Sequence, residues 1–266
     1  MNRIYVVNDA IEKHSLDGCV SIDVVEKNDF FSVNSIKLHF LEDTTIWLYY
    51  EAKEEIKLDI FIRVEANVHV TINEVRTGMR TKVQYKYYLD EYADIKVNKF
   101  YHASQVRELD IINLNGVGAN IRTVLKSIAT GEEKYDMMIY HNEVQTTSDI
   151  LNHAVVDQKG KLTFNVTSVV PKGKTGCVAN QMNRVINLND QKCKICPNLL
   201  IDEYDVTANH AALIGKFADD ELFYLQSRGL TREEAMSLLM KGFLCSNIEE
   251  PELLNIIKDS MNQYWR

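Results

Sequence analysis

The chain has 266 residues, of which 45% are apolar and 26% are charged, and its formal net charge is −8. This composition is typical of a soluble globular protein that can bury one large hydrophobic core or two smaller ones. The acidic balance and the lack of any lysine- or arginine-rich segment argue against nucleic acid and anionic membranes as partners.

No apolar segment reaches the roughly 18–20 residues that cross a bilayer, and the N-terminal apolar stretch is too short for a secretory signal. We therefore expect a cytoplasmic protein whose 5 cysteines are reduced thiols. The 3 prolines and 11 glycines are too few for the frequent tight turns of a β-sandwich or meander. The strands are therefore expected to meet at another kind of corner.

The first three quarters of the chain have the residue pattern of β-strands. From Ile56 to Ile72, apolar residues occupy every second position, and all the residues between them except Phe61 are polar. This pattern predicts strands with one buried and one solvated face. Ordinary strands seldom exceed about ten residues, so this run indicates two or three strands that meet at bends without glycine. Residues 1–30 give no clear pattern, whereas shorter alternating segments recur at 36–40, 83–87, 95–97 and 162–166.

After about residue 205 the pattern changes to that of helices. Acidic residues at 219–221 begin a helix that Gly229 would end, as the helix dipole and a left-handed cap favour. Thr231 and Glu234 form a capping box for a second helix, and a third helix begins near Pro251. The second helix is expected to bury Ala235, Leu238, Leu239, Gly242 and Phe243. The sequence thus predicts a β domain at 1–205 and a helical domain at 206–266.

The segment from Pro197 to Phe243 resembles the C-terminal end of SufB and SufD, scaffold proteins that assemble iron–sulfur clusters. The matching residues are 197–201, 205–212, 214–215, 219–229, 233–235 and 242–243, with a weaker match at His141, 146–148 and Gln181. The resemblance implies a mainly β fold: a right-handed parallel β-helix with a small C-terminal α-helical domain. Family members are usually longer and carry an N-terminal helical region that is not expected here.

The resemblance implies a non-catalytic scaffold on which an iron–sulfur cluster is assembled transiently, worked by a SufC-type ABC ATPase. The ATPase would dock on the C-terminal helices, at Asp219, Asp220, Leu222, Phe223, Tyr224, Ser227, Arg228 and Gly229. A second SufB/SufD-type chain, most simply an identical copy, would complete a dimer. A cysteine desulfurase or other sulfur donor is a further candidate partner.

The segment 173–175 resembles a phosphate-binding loop, but the glycine that such a loop needs five residues earlier is Ser168 here. No nucleotide is therefore expected on this chain.

Iron–sulfur clusters are held mainly by cysteine thiolates, with histidine as an occasional ligand. Cys193 and Cys196 form a CxxC pair between Lys192 and Lys194, whose positive charge would favour the thiolates. Positions i and i+3 of a strand point to opposite faces. A bend at Pro197 is therefore needed to bring both sulfurs to one iron.

His210 matches a histidine that the family holds in the cluster-assembly region. Other family ligands are replaced: the assembly cysteine of SufB falls on Met182, and the glutamate after its histidine falls on Ala211. The cysteine before the histidine in SufD falls on Ala208. We therefore hypothesise that Cys193 and Cys196 bind metal together with His210, with Cys177 as a further cluster ligand.

Two alternatives remain open at this point. The chain could be a structural adaptor that binds the ATPase and holds no cluster, with Met182 and Ala211 marking a lost site. It could instead be a carbohydrate-active β-helix enzyme, although neither a group of acidic residues on one sheet face nor a nucleophile with its base stands out. The remaining candidates, Cys19, Cys245 and the histidines at 69, 102, 141 and 153, are interpreted as core, surface or hydrogen-bonded residues.

Overall fold

The computed structural model describes residues 2–7, 10–25 and 34–264. These residues form a parallel β-solenoid of about seven turns, followed by three helices. The mainly β fold and the helical C-terminal region are therefore confirmed. The strands are β1 Asn2–Val7, β2 Ala10–Ser15, β3 Val20–Val25, β4 Asn34–Phe40, β5 Thr44–Val64, β6 His69–Leu89, β7 Asp94–Leu114, β8 Asn120–Ala129, β9 Glu132–His141, β10 Thr147–Val156, β11 Lys161–Val170, β12 Cys177–Asn187, β13 Cys193–Ile201 and β14 Val206–Gly215.

Each turn of the solenoid contributes to two sheets that enclose the hydrophobic interior. Sheet A contains β1, the first halves of β5, β6 and β7, and then β8, β10, β12 and β14. Sheet B contains β4, the second halves of β5, β6 and β7, and then β9, β11 and β13. These neighbours are parallel, whereas β2 and β3 add antiparallel strands near the N-terminus.

The alternating run from Ile56 to Ile72 lies where it was predicted, in the second half of β5 and the start of β6. Its apolar side chains face the interior and are buried, except Ala66, which is exposed at the corner between the two strands. β5 also changes sheet at an irregularity between Ala52 and Glu55, without glycine. That irregularity lies just before the run, and the corner between β5 and β6 divides the run into two strands, as its length indicated.

Successive turns repeat one corner at equivalent positions. The residues with positive φ there are Asn67, Tyr92, Gly118, Gln145 and Gly176. Each donates its backbone N–H to a carbonyl of the following turn, at 2.7–3.1 Å. Because three of these five corners tolerate a side chain in the left-handed region, the solenoid needs few glycines.

The helices are α1 Asp219–Ser227, α2 Arg232–Cys245 and α3 Pro251–Tyr264. The predicted capping box begins α2: Glu234 N–H donates to the Thr231 hydroxyl at 3.2 Å, and Thr231 N–H donates to the Glu234 carboxylate at 2.8 Å. The buried face of α2 differs from the expected stripe, because Met240 and Leu244 are buried while Leu238 is exposed. Strand β14 also continues sheet A to Gly215, ten residues past the boundary placed at 205.

The helices pack on the outer face of sheet A and form a second hydrophobic core. This core joins Trp47, Phe100 and Ile128 of the sheet to helix residues such as Met240 and Ile257. Part of sheet A is thus covered on both faces, and α2 turns toward it the side that carries Met240 and Leu244. Among the described residues, none of the helices has the length and apolarity required to span a bilayer.

A group of charged side chains lies inside the solenoid, between the two sheets. Arg76 contacts Glu74 at 2.6 Å and Glu108 at 2.5 Å, and Lys99 contacts Glu108 at 2.7 Å and Asp110 at 2.8 Å. Burial lowers the pKa of Arg76, but the carboxylates of Glu108 and Glu74 more than offset this and hold that pKa well above its usual value. The interior of the solenoid therefore includes an ionic network as well as apolar side chains.

Candidate functional site

The C-terminal end of the solenoid is open. Within the described part of the chain, β13 pairs only with β11, and β14 pairs only with β12. Their free edges present unpaired backbone groups, which can pair with another chain. The large apolar side chains exposed at this end include Met182, Leu200, Leu213 and Ile214. We call these two strands and four side chains the open end.

The structure separates Cys193 from Cys196. Strand β13 runs without a bend through Pro197, and its register pairs Cys193 with Leu162 and Cys196 with Asn165. Cys193 faces the interior beside Leu162, whereas Cys196 points to the outer face. The expected bend at Pro197 is therefore absent, and the two sulfurs do not share one face.

Burial raises the pKa of the Cys193 thiol. This is opposite to the effect expected from Lys192 and Lys194, because Cys193 packs against the apolar core while Lys194 lies on the outer face of the sheet. The isolated chain therefore favours the protonated thiol at this position.

His210 lies in β14 at the open end and is exposed. It pairs with the inward-facing Gln181, whose side-chain amide donates to the Ser168 hydroxyl at 2.9 Å. Ser168 pairs with Leu199 of β13. Leu199 is six residues from Cys193, or about 20 Å along a strand. One chain therefore does not bring His210 to Cys193.

Cys177 is buried and hydrogen-bonded. Its sulfur lies 3.2 Å from the Thr146 hydroxyl, which lies 2.8 Å from Nδ1 of His141. Nε2 of His141 lies 3.0 Å from the Ser148 hydroxyl, and burial lowers the pKa of His141 to about 4. His141, Thr146 and Ser148, which belong to the weaker family match, thus form a buried polar cluster with Cys177. Across residues 2–7, 10–25 and 34–264, no three His, Cys, Asp or Glu side chains are grouped to hold a metal ion.

Lys126 and His153 form a second site, which sequence reasoning missed. Lys126 Nζ lies 2.8 Å from Nδ1 of His153 and 3.2 Å from the hydroxyl of Ser246, after α2. The His153 ring stacks on Phe243, with the ring centroids 4.5 Å apart. Burial lowers the pKa of Lys126 to about 7 and that of His153 to about 3. This pair joins sheet A to α2, and no local motif connects residues so distant in the sequence.

The residues predicted to dock the ATPase lie on α1 and just after it. Phe223 is 73% exposed and Tyr224 is 56% exposed, and Leu238 of α2 is also exposed. The Arg228 guanidinium lies over the Tyr224 ring, 5.2 Å from its centroid. Leu222 is only 4% exposed, so it packs inside the protein and offers little surface to a partner.

The remaining predicted docking residues lie near Phe223 and Tyr224, on α1 or just after it. The Ser227 hydroxyl donates to the Tyr224 carbonyl at 2.7 Å. Gly229, with φ of 96°, follows the end of α1. Asp219 and Asp220 are exposed in the first turn of the helix.

Comparison with known proteins agrees with this architecture. The family model described as "SUF system FeS cluster assembly, SufBD core domain" matches residues 34–243. The iron–sulfur cluster assembly protein SufD of Bacillus subtilis is 36% identical over 141 residues, which are 52% of this chain and 32% of that protein.

Two other relatives are named as SufBD family proteins. A SufBD family protein of Mycobacterium bovis is 30% identical over 125 residues, covering 46% of this chain and 15% of the relative. A SufBD family protein of Methanothermobacter thermautotrophicus is 29% identical over 148 residues, which are 51% of this chain and 34% of that relative. The chain thus spans about a third or less of the length of these curated relatives. Since the family model covers most of the chain, the protein belongs to the SufB/SufD family of SUF-system iron–sulfur cluster assembly proteins.

Proposed function

We propose that the chain is a scaffold subunit for iron–sulfur cluster assembly, and that two chains meeting at their open ends supply the cluster ligands. The supporting observation is the exposed His210 on the edge strand β14, which pairs with β12 on one side only among the described residues. One chain keeps Cys193 and Cys196 on opposite faces, so a complete donor set requires a second chain. An identical copy is the simplest second chain. The cluster is the cargo of this subunit, and a cysteine desulfurase or similar donor would supply its sulfur as a persulfide, which a separate two-electron reductant would convert to sulfide.

Anaerobic reconstitution with ferrous iron and sulfide, followed by visible absorbance, tests this proposal. We expect His210→Ala, and the double variant Cys193→Ser with Cys196→Ser, each to lose most of the cluster absorbance. Cys19→Ser is the matched control, because Cys19 lies near the N-terminal end, with its thiol 3.5 Å from Glu42. Leu213→Lys places a charge at the exposed open end and is expected to lower both dimer content and cluster uptake. Unchanged uptake in the His210 and cysteine variants would contradict the scaffold proposal.

The second candidate function is a structural adaptor without a cluster. It is favoured by the raised pKa of Cys193 and by the exposed thioether of Met182, which replaces a family cysteine. An adaptor would dimerise and bind the ATPase but take up no iron in the reconstitution. The same experiment therefore separates the two functions.

We further propose that Phe223, Tyr224 and Leu238 form the docking surface for a SufC-type ATPase. Large exposed aromatic side chains are common anchors of protein interfaces. Phe223→Ala with Tyr224→Ala is expected to weaken ATPase binding by about tenfold or more, as measured by calorimetry. Lys258→Ala, an exposed change on α3, is the control. Equal affinity in both variants, or a lower melting temperature only in the aromatic variant, would reject this surface.

A further inference from the structure

The outer face of sheet B carries a column of basic side chains that the proposed function does not use. The register pairs Lys57 with Lys82, Lys82 with Arg107, and Arg107 with Lys134 in successive strands. A threonine occupies the same position in β11, and Lys194 follows it in the edge strand β13. All five basic side chains are exposed. We call these five residues the basic column.

The basic column concentrates positive charge in a short distance. Neighbouring strands lie about 4.8 Å apart, so the five cations fall within about 24 Å. Like charges directly opposite each other in neighbouring strands destabilise a sheet. The fold therefore gains no stability from this arrangement, which points to a role in binding.

Carboxylates offset only part of this charge. Lys57 pairs with Glu55 at 3.0 Å, Lys134 with Asp136 at 2.7 Å and Arg107 with Glu132 at 3.8 Å. Lys82 forms no ion pair with any residue the structure describes. The adjoining grooves on this face are lined by eight basic side chains and four solvent-accessible carboxylates. The local charge is therefore strongly positive on a chain whose net charge is −8.

Apolar side chains lie beside the basic column. Leu109 and Ile111 follow Arg107 at two and four residues along β7, and Met138 follows Lys134 at four residues along β9, all on the outer face. A phosphate backbone would leave these side chains uncovered and would meet the nearby carboxylates. A polypeptide that carries both acidic and apolar residues matches both features of the surface.

We propose that this face of sheet B binds an acidic, amphipathic segment of a partner protein. Its carboxylates would pair with the basic column, and its apolar side chains would cover Leu109, Ile111 and Met138. This surface is on sheet B, whereas the helices and the proposed ATPase site lie on the side of sheet A. The partner could therefore bind while the ATPase is docked.

Fluorescence anisotropy with a labelled synthetic peptide of alternating glutamate and leucine tests the proposal. We expect binding that weakens as salt is raised, and a loss of about tenfold or more in Lys82→Glu with Arg107→Glu. Lys172→Glu with Lys258→Glu makes the same change in net charge at exposed positions elsewhere and is expected to change affinity less than about twofold. A peptide with serine in place of leucine is expected to bind more weakly.

Three results would overturn this assignment. The first is an equal loss of affinity in the two double variants, which would indicate attraction to net charge alone. The second is tighter binding of oligothymidylate than of the peptide, which would indicate nucleic acid. The third is salt-sensitive self-association that Lys82→Glu with Arg107→Glu abolishes, which would indicate a second copy of the chain. The melting temperature of that variant is expected to change little. The contacts of positions 82 and 107 with Lys57 and Lys134 become attractive, whereas the contact between positions 82 and 107 stays repulsive and the ion pair of Arg107 with Glu132 is lost.

Discussion

Replacing Arg76 with methionine is expected to lower the free energy of unfolding by about 3–5 kcal/mol. Arg76 is fully buried inside the solenoid, where it pairs with Glu74 at 2.6 Å and Glu108 at 2.5 Å. Methionine fills much of the space but supplies no positive charge. Because Lys99 still pairs with Glu108 at 2.7 Å, most of the loss falls on Glu74, which keeps no cation partner among the described residues.

Hydroxyl groups cannot replace the missing charge. Tyr85 donates to Glu74 at 2.6 Å and Tyr101 donates to it at 2.8 Å, so the carboxylate stays hydrogen-bonded in the variant. A buried carboxylate without a cation is driven to bind a proton. We therefore expect the destabilisation by Arg76→Met to be smaller at pH 5 than at pH 8.

Urea unfolding followed by circular dichroism measures this loss. Arg80→Met is the matched control: Arg80 lies in the same strand, four residues later, is exposed, and donates to Gln105 at 2.6 Å. Its substitution is expected to change stability by about 0.5 kcal/mol or less. If the two variants lost equal stability, the buried network would contribute no more than a surface arginine, and the prediction would be wrong.

Local patterns in the sequence predicted the parts of the fold that depend on near neighbours. The alternation from Ile56 to Ile72 marks strands because successive side chains of a strand point to opposite faces. The pair Thr231 and Glu234 marks a helix start because the two residues cap each other within one turn. Both signals lie within a few residues of chain, and both were confirmed.

Features that depend on stacking between turns could not be predicted in this way. Members of the basic column such as Lys57, Lys82 and Arg107 are separated by a full turn of chain, so no basic segment is visible in the sequence.

The buried ionic network could not be predicted for another reason. In β6 the residues from Asn73 to Arg76 are all buried, because the interior covers one face of sheet A and the helices cover the other. The alternation of apolar and polar residues therefore does not show which of these side chains face the interior of the solenoid and which face the helices.

The CxxC pair shows the limit of a motif without its structural context. Proline lacks a backbone N–H and disrupts a central strand, which suggested a bend at Pro197. Strand β13 is an edge strand within the described part of the chain, so the missing N–H need not face a neighbouring strand and the strand stays extended. Cys193 and Cys196 therefore lie on opposite faces of the strand, as their spacing predicts for an extended chain, and the motif alone does not bring the two sulfurs together.

Glu133 is expected to make the protein less stable as the pH rises from 4.5 to 7. Its side chain is buried inside the solenoid, where it accepts hydrogen bonds from Ser127 at 2.6 Å and Tyr135 at 2.8 Å. Burial raises the pKa of this carboxyl from 4.5 to about 7. In this pH range the folded protein binds a proton that the unfolded chain releases, so stability is lost as the pH rises.

Glu133→Gln removes this titration and keeps a side chain of the same shape. The free energy of unfolding of Glu133→Gln is expected to equal that of the wild type at pH 4.5. At pH 8 it is expected to exceed that of the wild type by about 3 kcal/mol. Glu132→Gln is the control, since Glu132 is the exposed neighbour that faces Arg107 at 3.8 Å, and its pH profile is expected to run parallel to that of the wild type. Urea unfolding across this pH range measures the difference. Parallel profiles for both variants would mean that Glu133 is charged in the folded protein, with a cation or water entering the interior to solvate it.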